Sequence, residues 1–296
     1  MSDIQPESLA MRAARGIGLD GLAWGLRRLH CPVPRAALVL EVGSGGNPYA
    51  RSNVLLDAYP ETRERHWVPL TVDRPFVFGF LERLPFRDKA FDFVVASHVL
   101  EHSPEPERAL GEMQRVARAG YIEVPDAFME RVNPYKDHRA EITVRGGRLV
   151  IRKKPNWVVD DELLELYEDR AKPLVTGHLI PSRPFDFHVR YYWQDAIEYQ
   201  VLNPAVDARW IAPVDDRPRP AAANGGWRET VRRILRTVMS QSARNRTIDL
   251  ATLLACPTCG HARLAREGET FRCPACTTVY ADRHRMPMLY PREVQR

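Results

Sequence analysis

The first half of the chain alternates short apolar runs with amphipathic stretches and polar turns. The apolar runs that predict strands lie at residues 38–42, 53–57, 76–79, 91–97 and 121–124. Residues 104–118 instead carry apolar side chains at helical spacing, with charged side chains on the opposite face. Strands that alternate with helices predict an α/β fold with a mostly parallel sheet.

The pattern changes in the middle of the chain. Residues 142–151 surround a Gly-Gly pair, which predicts a hairpin, and residues 160–175 have helical spacing. Residues 185–193 and 197–202 predict two more strands, which we expect to pair antiparallel because the connection between them is short. We interpret residues 126–184 as an inserted lid over the ligand-binding edge of the sheet.

These patterns predict four parts along the chain. They are an N-terminal helical cap at 1–36, an α/β domain at 37–204, a linker with a basic amphipathic helix at 205–247, and a small domain at 248–296. The helix itself covers 227–246, where arginines surround an apolar face. It could lie on an anionic membrane or pack on the α/β domain.

The composition restricts the possible partners and the location of the protein but does not indicate its function. The 296 residues are 44% hydrophobic and carry a net charge of +5, which permits contact with nucleic acid or anionic lipid without requiring it. The chain has no run of 18 apolar residues and no apolar stretch typical of a secretory signal. We therefore expect a cytoplasmic protein, with peripheral contact at the inner membrane face through the basic helix as an alternative.

The first apolar run ends in an acidic residue and a glycine turn, Glu41-Val42-Gly43-Ser44-Gly45. Glycine is needed where the backbone adopts a positive φ or passes close to a ligand. Ligands of open α/β sheets bind at the carboxyl ends of the strands. An acid followed by Gly-x-Gly suits a ligand with a cationic amino group and ribose hydroxyls better than it suits a pyrophosphate.

Three further motifs follow this turn in order. They are Asp57 at the end of the second run, Leu84-Pro85-Phe86 with the run to His102, and 115–121 before the fifth run. Together they resemble the class I S-adenosylmethionine-dependent methyltransferases, most closely the branch that contains quinone-biosynthesis enzymes. The resemblance implies a Rossmann-like, doubly wound sheet of seven mostly parallel strands.

The resemblance also implies roles for individual residues. Gly43 and Gly45 would approach the methionine part of the cofactor, Glu41 its ammonium end, and Asp57 both ribose hydroxyls. The loop at 80–84 would lie against adenine, with Ser97 and His98 facing the methyl group. The full set of predicted cofactor-binding residues is Glu41, Gly43, Ser44, Gly45, Asp57, Leu84, Ser97 and His98.

Three features depart from the family pattern. Asn47 replaces a third glycine, and only 15 residues separate Glu41 from Asp57, with Pro48 among them. A crossover usually needs about 10–12 residues including a formed helix, so we expect this helix to be truncated or absent. Phe80 stands where an acid often contacts adenine.

Methyl transfer from a sulfonium carbon needs alignment and exclusion of water, and a hydroxyl acceptor also needs a general base. We predict His98 and His188 as catalytic residues, with Asp126 and His138 as further candidates for the base. We expect O-methylation of a small molecule or saccharide. The alternatives are a methyltransferase of RNA or protein, and a scaffold that binds the cofactor without turnover.

Four cysteines form two Cys-x-x-Cys pairs near the C-terminus, at Cys256, Cys259, Cys273 and Cys276. Two such pairs separated by 13 residues predict a closed four-thiolate site for structural Zn²⁺. The module resembles the small zinc-ribbon proteins that activate methyltransferases of translation factors, tRNA and rRNA. The resemblance implies a stabilising role or a role in presenting an RNA or protein acceptor.

Overall fold

The computed structural model describes residues 5–213, 234 and 238–294. The chain divides into two compact units. The first unit comprises Met1–Val33, Ser97–Glu107 and Tyr121–Asp215, and the second unit comprises Pro34–Ala96, Arg108–Gly120 and Asp216–Arg296. The domain boundaries given above stay a prediction.

The strands of the described residues form three sheets. In chain order they are β1 Val39–Val42, β2 Val54–Asp57, β3 Phe76–Phe78, β4 Phe91–Ser97, β5 Ala117–Pro125, β6 Ala140–Arg145, β7 Arg148–Lys153, β8 His188–Gln194, β9 Tyr199–Val201, β10 Ala265–Glu267, β11 Thr270–Arg272, β12 Val279–Arg283 and β13 Met286–Pro287. The largest sheet has the order β3-β2-β1-β4-β5-β8. Its pairs β1–β2, β1–β4 and β2–β3 are parallel, so the predicted α/β architecture is confirmed.

This sheet has six strands in the described part of the chain, not the seven predicted. The residues taken as the seventh strand form β9, which pairs in parallel with β7 in a small sheet of order β6-β7-β9. The expected antiparallel pairing of β9 with β8 is therefore wrong. Asp195 lies between the two strands with a φ of +63°, and this left-handed residue redirects the chain after β8.

The central strands are buried on both faces, as parallel sheets require. Every residue of β1, β2 and β3 is buried, and β4 exposes only Asp92. The apolar runs of these strands do not alternate with polar residues because both faces of each strand are buried.

The described residues also form short helices. They are α1 Leu9–Gly16, α2 Asp20–Leu26, α3 Pro106–Val116, α4 Ala127–Val132, α5 Asp161–Leu166, α6 Lys172–Leu174, α7 Ile180–Ser182 and α8 Ser242–Asn245. Asp160 caps α5 by accepting the N–H of Leu163 at 3.0 Å. Wide turns at Tyr167–Ala171 and Val175–Leu179 continue the helical path past Pro173 to Ser182.

The predicted hairpin at 142–151 is confirmed by the antiparallel pairing of β6 with β7. Gly146 and Gly147 both have positive φ, at +56° and +77°. Two left-handed residues in a row are what a two-residue hairpin turn with the twist of its strands requires.

The C-terminal residues of the second unit form the antiparallel sheet β10-β11-β12-β13. Two backbone pairings attach it to the rest of this unit. Phe86 bridges Leu254, and Phe78 at the end of β3 bridges Met288. Leu289 also donates its N–H to the carbonyl of Phe78 at 2.8 Å, so β3 is covered at its outer edge.

Half of the predicted basic helix at 227–246 falls outside the described residues. In the described part Ser242–Asn245 forms α8, and Gln241 before it has a φ of +53°, so the predicted helix is interrupted there. Its membrane contact stays a prediction. Within 5–213, 234 and 238–294, no helix is long and apolar enough to cross a membrane.

Candidate functional site

The glycine turn after β1 requires glycine at several positions. Gly43 and Gly45 have φ values of +64° and +56°, which side-chain-bearing residues rarely adopt. A Cβ on Gly46 would lie 2.6 Å from Val68 Cγ1 and 2.7 Å from the carbonyl oxygen of Pro69. The turn is therefore packed directly beneath the segment that follows β2.

Glu41 stabilises the loop that replaces the first crossover helix. Its buried carboxylate accepts the N–H of Tyr49 at 2.8 Å and the hydroxyl of Ser52 at 2.6 Å. No helix forms between β1 and β2, as the short spacing predicted. Glu41 thus holds the loop between β1 and β2 through hydrogen bonds. Its contact with a cofactor ammonium group stays a prediction.

Asp57 ends β2 beside the glycine turn. Its Oδ2 accepts the N–H of Gly45 at 3.0 Å, and its Oδ1 lies 3.2 Å from Arg65 Nη1. Burial raises the pKa of Asp57, while the Gly45 N–H and the Arg65 charge act in the opposite direction. Ser44 Oγ, in the same turn, is buried and has no hydrogen-bond partner in the described part of the chain.

Aromatic residues occupy the place of the missing adenine-side acid. Phe80 lies with its ring centroid 5.8 Å from that of Tyr59 and 5.3 Å from that of Tyr290. The Tyr290 hydroxyl donates to the carbonyl of Ala58 at 2.7 Å, next to Asp57 in sequence. Leu84 is only 2% exposed, so its side chain belongs to the core.

In the first unit, the end of β4 presents Ser97 and His98 to two acidic residues. Ser97 Oγ donates to Glu123 at 3.0 Å, and the two ring nitrogens of His98 lie 3.5 Å from Glu101 and from Glu123. Burial lowers the pKa of His98, but the two carboxylates outweigh it and raise the pKa to about 9. His98 is therefore protonated at neutral pH and is a poor general base.

Glu123 is the most strongly engaged carboxylate of this group. Arg27 donates Nε and Nη2 to its two oxygens at 2.7 and 2.8 Å, and the Tyr121 hydroxyl also donates to it. Burial opposes ionisation, yet Arg27 and His98 hold the pKa of Glu123 well below its usual range. Arg27 in turn lies over the ring of Trp24 at 3.4 Å.

His188 lies at the start of β8 against the same residues. Its ring centroid is 4.6 Å from that of Trp24 and 5.5 Å from that of His98. Its Nδ1 lies 2.9 Å from the carbonyl oxygen of Pro184. A carbonyl can only accept, so Nδ1 carries the hydrogen and Nε2 has a free lone pair. Burial lowers the pKa of His188, which keeps this imidazole neutral at pH 7.

The two other candidate bases have structural partners. Asp126 caps α4 by accepting the N–H of Phe128 at 2.9 Å and also accepts the Thr143 hydroxyl at 2.7 Å. His138 Nδ1 lies 2.6 Å from the buried carboxylate of Glu130. Neither residue contacts His188 or His98 in the described part of the chain.

The four cysteines of the second unit converge. One sulfur from each lies within 4.8 Å of the others, with Cys256–Cys276 and Cys259–Cys273 distances of 3.6 Å. Sulfurs around a tetrahedral ion with bonds of about 2.3 Å would lie about 3.8 Å apart. Gly260 directly follows its cysteine pair with a φ of +75°. The cluster therefore fits one metal ion without rearrangement of the backbone.

The structure groups the predicted residues by unit. The first unit brings together Ser97, His98 and His188. The second unit brings together predicted residues of β1, the glycine turn and β2, which are Glu41, Gly43, Ser44, Gly45 and Asp57. Sequence reasoning missed Arg27 and Glu123. An acid inside an otherwise apolar strand was the one available signal for Glu123, and no local pattern indicated Arg27.

Comparison with known proteins adds the following. A family model described as a methyltransferase domain matches residues 40–122. An uncharacterized methyltransferase of Mycobacterium sp. (strain KMS) is 32% identical over 176 residues, which cover 54% of this chain and 69% of the relative. One of Mycobacterium leprae (strain TN) is 30% identical over 199 residues, which cover 61% of this chain and 72% of the relative.

Among solved structures, one chain of a complex between the Haloferax volcanii Trm112 methyltransferase activator and a methyltransferase is 24% identical. The match has a TM-score of 0.28 and covers 41% of this chain and 60% of that chain. A methyltransferase of Thermotoga maritima is 17% identical with a TM-score of 0.31, covering 54% of this chain and 75% of that one.

Proposed function

The chain belongs to the class I S-adenosylmethionine-dependent methyltransferases, and we propose that it methylates a hydroxyl oxygen of a small molecule or saccharide. The proposal of a hydroxyl acceptor rests on the protonation state of His188. Its Nδ1–H is held by the Pro184 carbonyl, which leaves Nε2 as an unprotonated base. A hydroxyl must lose its proton during transfer, and an imidazole that is neutral at pH 7 can take it.

The surroundings of His188 support a ring-shaped acceptor. Trp24 contacts His188 on one side and Phe185 on another, with centroid distances of 4.6 and 5.3 Å. Aromatic faces bind sugar rings and other flat or ring-shaped ligands through their apolar surfaces. The protonated His98 nearby would favour an acceptor that is neutral or anionic rather than a cationic amine.

We propose that the second unit holds S-adenosylmethionine, which supplies the activated methyl group. Two left-handed glycines, the orphaned hydroxyl of Ser44 and the carboxylate of Asp57 fit this group. Asp57 would accept the ribose hydroxyls with the oxygen that now pairs with Arg65. The rings of Phe80 and Tyr59 would bind adenine by apolar contact instead of through an acid.

We also propose that the cysteine cluster holds structural Zn²⁺, so that residues 248–296 are a zinc ribbon. Four thiolates close the coordination shell, and the ion would supply folding energy rather than catalysis. The ribbon covers the edge of β3 through Met288 and places Tyr290 against Phe80 and the carbonyl of Ala58. Its proposed role is therefore to stabilise the cofactor side of the second unit.

The test is methyl transfer by wild-type protein and His188→Gln. Tritiated S-adenosylmethionine is incubated with fractions of an extract of the source organism. The label is then followed into small molecules, glycans, RNA and protein. We expect label in a small-molecule or glycan fraction as an alkali-stable ether. We also expect His188→Gln to lower the rate by about 100- to 10,000-fold while cofactor binding is retained.

His178→Gln is the matched control, since His178 is exposed in the helical segment after β7. Label in RNA or protein would replace the proposed acceptor class with the macromolecular alternative. An undiminished rate in His188→Gln would refute its role as the base. Absence of label in every fraction, with the cofactor bound, would favour the scaffold alternative.

A further inference from the structure

A second group of metal-binding side chains lies in the first unit, apart from the cysteines. Glu101 and His102 are adjacent in the turn Leu100–His102, and His138 precedes β6. One ligand atom from each of the three lies within 4.8 Å of the other two. The N–H of Arg139 donates to the carbonyl of Glu101 at 2.7 Å, which fixes the His138 loop beside the turn. We call these three residues the Glu–His–His cluster.

Glu101 has a buried carboxylate whose contact with His98 is a long one. The residue is 2% exposed, and neither carboxylate oxygen has a hydrogen-bond partner among the described residues. The nearest cationic group is His98, whose Nδ1 stays 3.5 Å from Oε1. A charge-assisted hydrogen bond would be about 2.7–2.9 Å long. A buried carboxylate without such bonds is costly, and a bound cation would remove that cost.

The two histidines are oriented as metal ligands usually are. His102 Nδ1 lies 3.2 Å from the carbonyl oxygen of Asp137, and His138 Nδ1 lies 2.6 Å from Glu130 Oε2. Both partners are acceptors, so each Nδ1 carries a hydrogen and Nε2 is the nitrogen left to face a metal ion. A metal-bound histidine almost always donates its other N–H to a carbonyl or carboxylate.

Glu130, which contacts His138, is itself bound by a further residue. Lys154 Nζ donates to Glu130 Oε1 at 2.7 Å, and both side chains are buried. Glu130 is therefore held in place by Lys154 while it orients the His138 ring. This chain of buried contacts has no part in the chemistry proposed for His188.

We propose that the Glu–His–His cluster binds a divalent transition-metal ion, with Zn²⁺ as the best match. Two imidazoles and one carboxylate suit Zn²⁺ or Fe²⁺, whereas Mg²⁺ and Ca²⁺ prefer oxygen ligands alone. Three protein donors leave one tetrahedral position open for water or a ligand, unlike a four-thiolate site. Donors around such an ion lie about 3.3 Å apart, so the side chains would close in by at most about 1.5 Å on binding.

The first experiment counts zinc in the full-length protein. Wild type, His102→Gln and His178→Gln are saturated with Zn²⁺, desalted and measured by plasma mass spectrometry together with protein concentration. We expect two equivalents in wild type and in the His178→Gln control, and one equivalent fewer in His102→Gln. A single equivalent in wild type, or the same content in His102→Gln as in the control, would overturn the proposal.

The second experiment uses Co²⁺ on wild type and does not depend on the folding of a variant. Cobalt bound by cysteines gives an intense thiolate charge-transfer band, and cobalt bound by imidazole and carboxylate does not. We expect a titration in which one equivalent raises this band and another adds only visible absorption. Saturation of all absorption after the thiolate equivalent would overturn the proposal.

Discussion

Replacing Glu123 by Gln should be among the most damaging single-atom changes in the first unit. The carboxylate is fully buried and balances Arg27, whose side chain is only 8% exposed. A glutamine keeps the shape but removes the charge, so a guanidinium with two short bonds loses its counter-ion. Removing one partner of a buried ion pair typically costs about 3–5 kcal/mol, and we expect this loss in the free energy of unfolding.

Urea unfolding at pH 7, followed by circular dichroism, measures this difference. The matched control is Glu162→Gln, an exposed residue of α5 that should change stability by less than about 0.5 kcal/mol. The double variant Arg27→Met, Glu123→Leu should recover much of the loss, because it leaves no unpaired buried charge. A loss below about 1 kcal/mol in Glu123→Gln would refute the reasoning about the buried pair.

Three further predictions follow from other contacts. Gly46→Ala should destabilise the protein by about 1–3 kcal/mol in urea, because its Cβ meets the Pro69 backbone. The control Gly111→Ala, in a helix with free space, should stabilise it by about 0.4–1 kcal/mol. Cys273→Ser should release one zinc equivalent and open 248–296 to protease; unchanged zinc would contradict the ribbon. The lowered pKa of His188 predicts that the methyl-transfer rate reaches half of its plateau at a pH below 6.5; a half-maximal rate above pH 6.5 would count against this base.

Features set by neighbours in sequence were predictable. The apolar runs of β1 to β5 and the Gly146-Gly147 turn depend on residues within one element or turn. The missing crossover helix was also predictable, because the connection between β1 and β2 is short and Pro48 interrupts it.

Features set by distant residues were not. Arg27 and Glu123 are 96 positions apart, and nothing near Arg27 indicates a buried partner. The pairing of β9 with β7 depends on the left-handed Asp195, a conformation that sequence spacing does not show.

The two predicted catalytic histidines illustrate the same limit at the site. The sequence placed His98 after a strand and His188 within the predicted strand 185–193 but could not assign their charges. Two carboxylates keep His98 protonated, whereas burial keeps His188 neutral and the Pro184 carbonyl holds its hydrogen on Nδ1. Which histidine can act as a base is therefore decided by tertiary contacts.

Binding of S-adenosylmethionine is the most direct test of the site built by the glycine turn and Asp57. Isothermal titration calorimetry would compare wild type with Asp57→Asn and with Asp169→Asn, an exposed control in the helical segment of the first unit. We predict a single cofactor per chain, bound at least about tenfold more weakly by Asp57→Asn, a loss of about 1.4 kcal/mol, and unchanged by Asp169→Asn. No binding by wild type, or equal binding by Asp57→Asn, would contradict the proposed cofactor site.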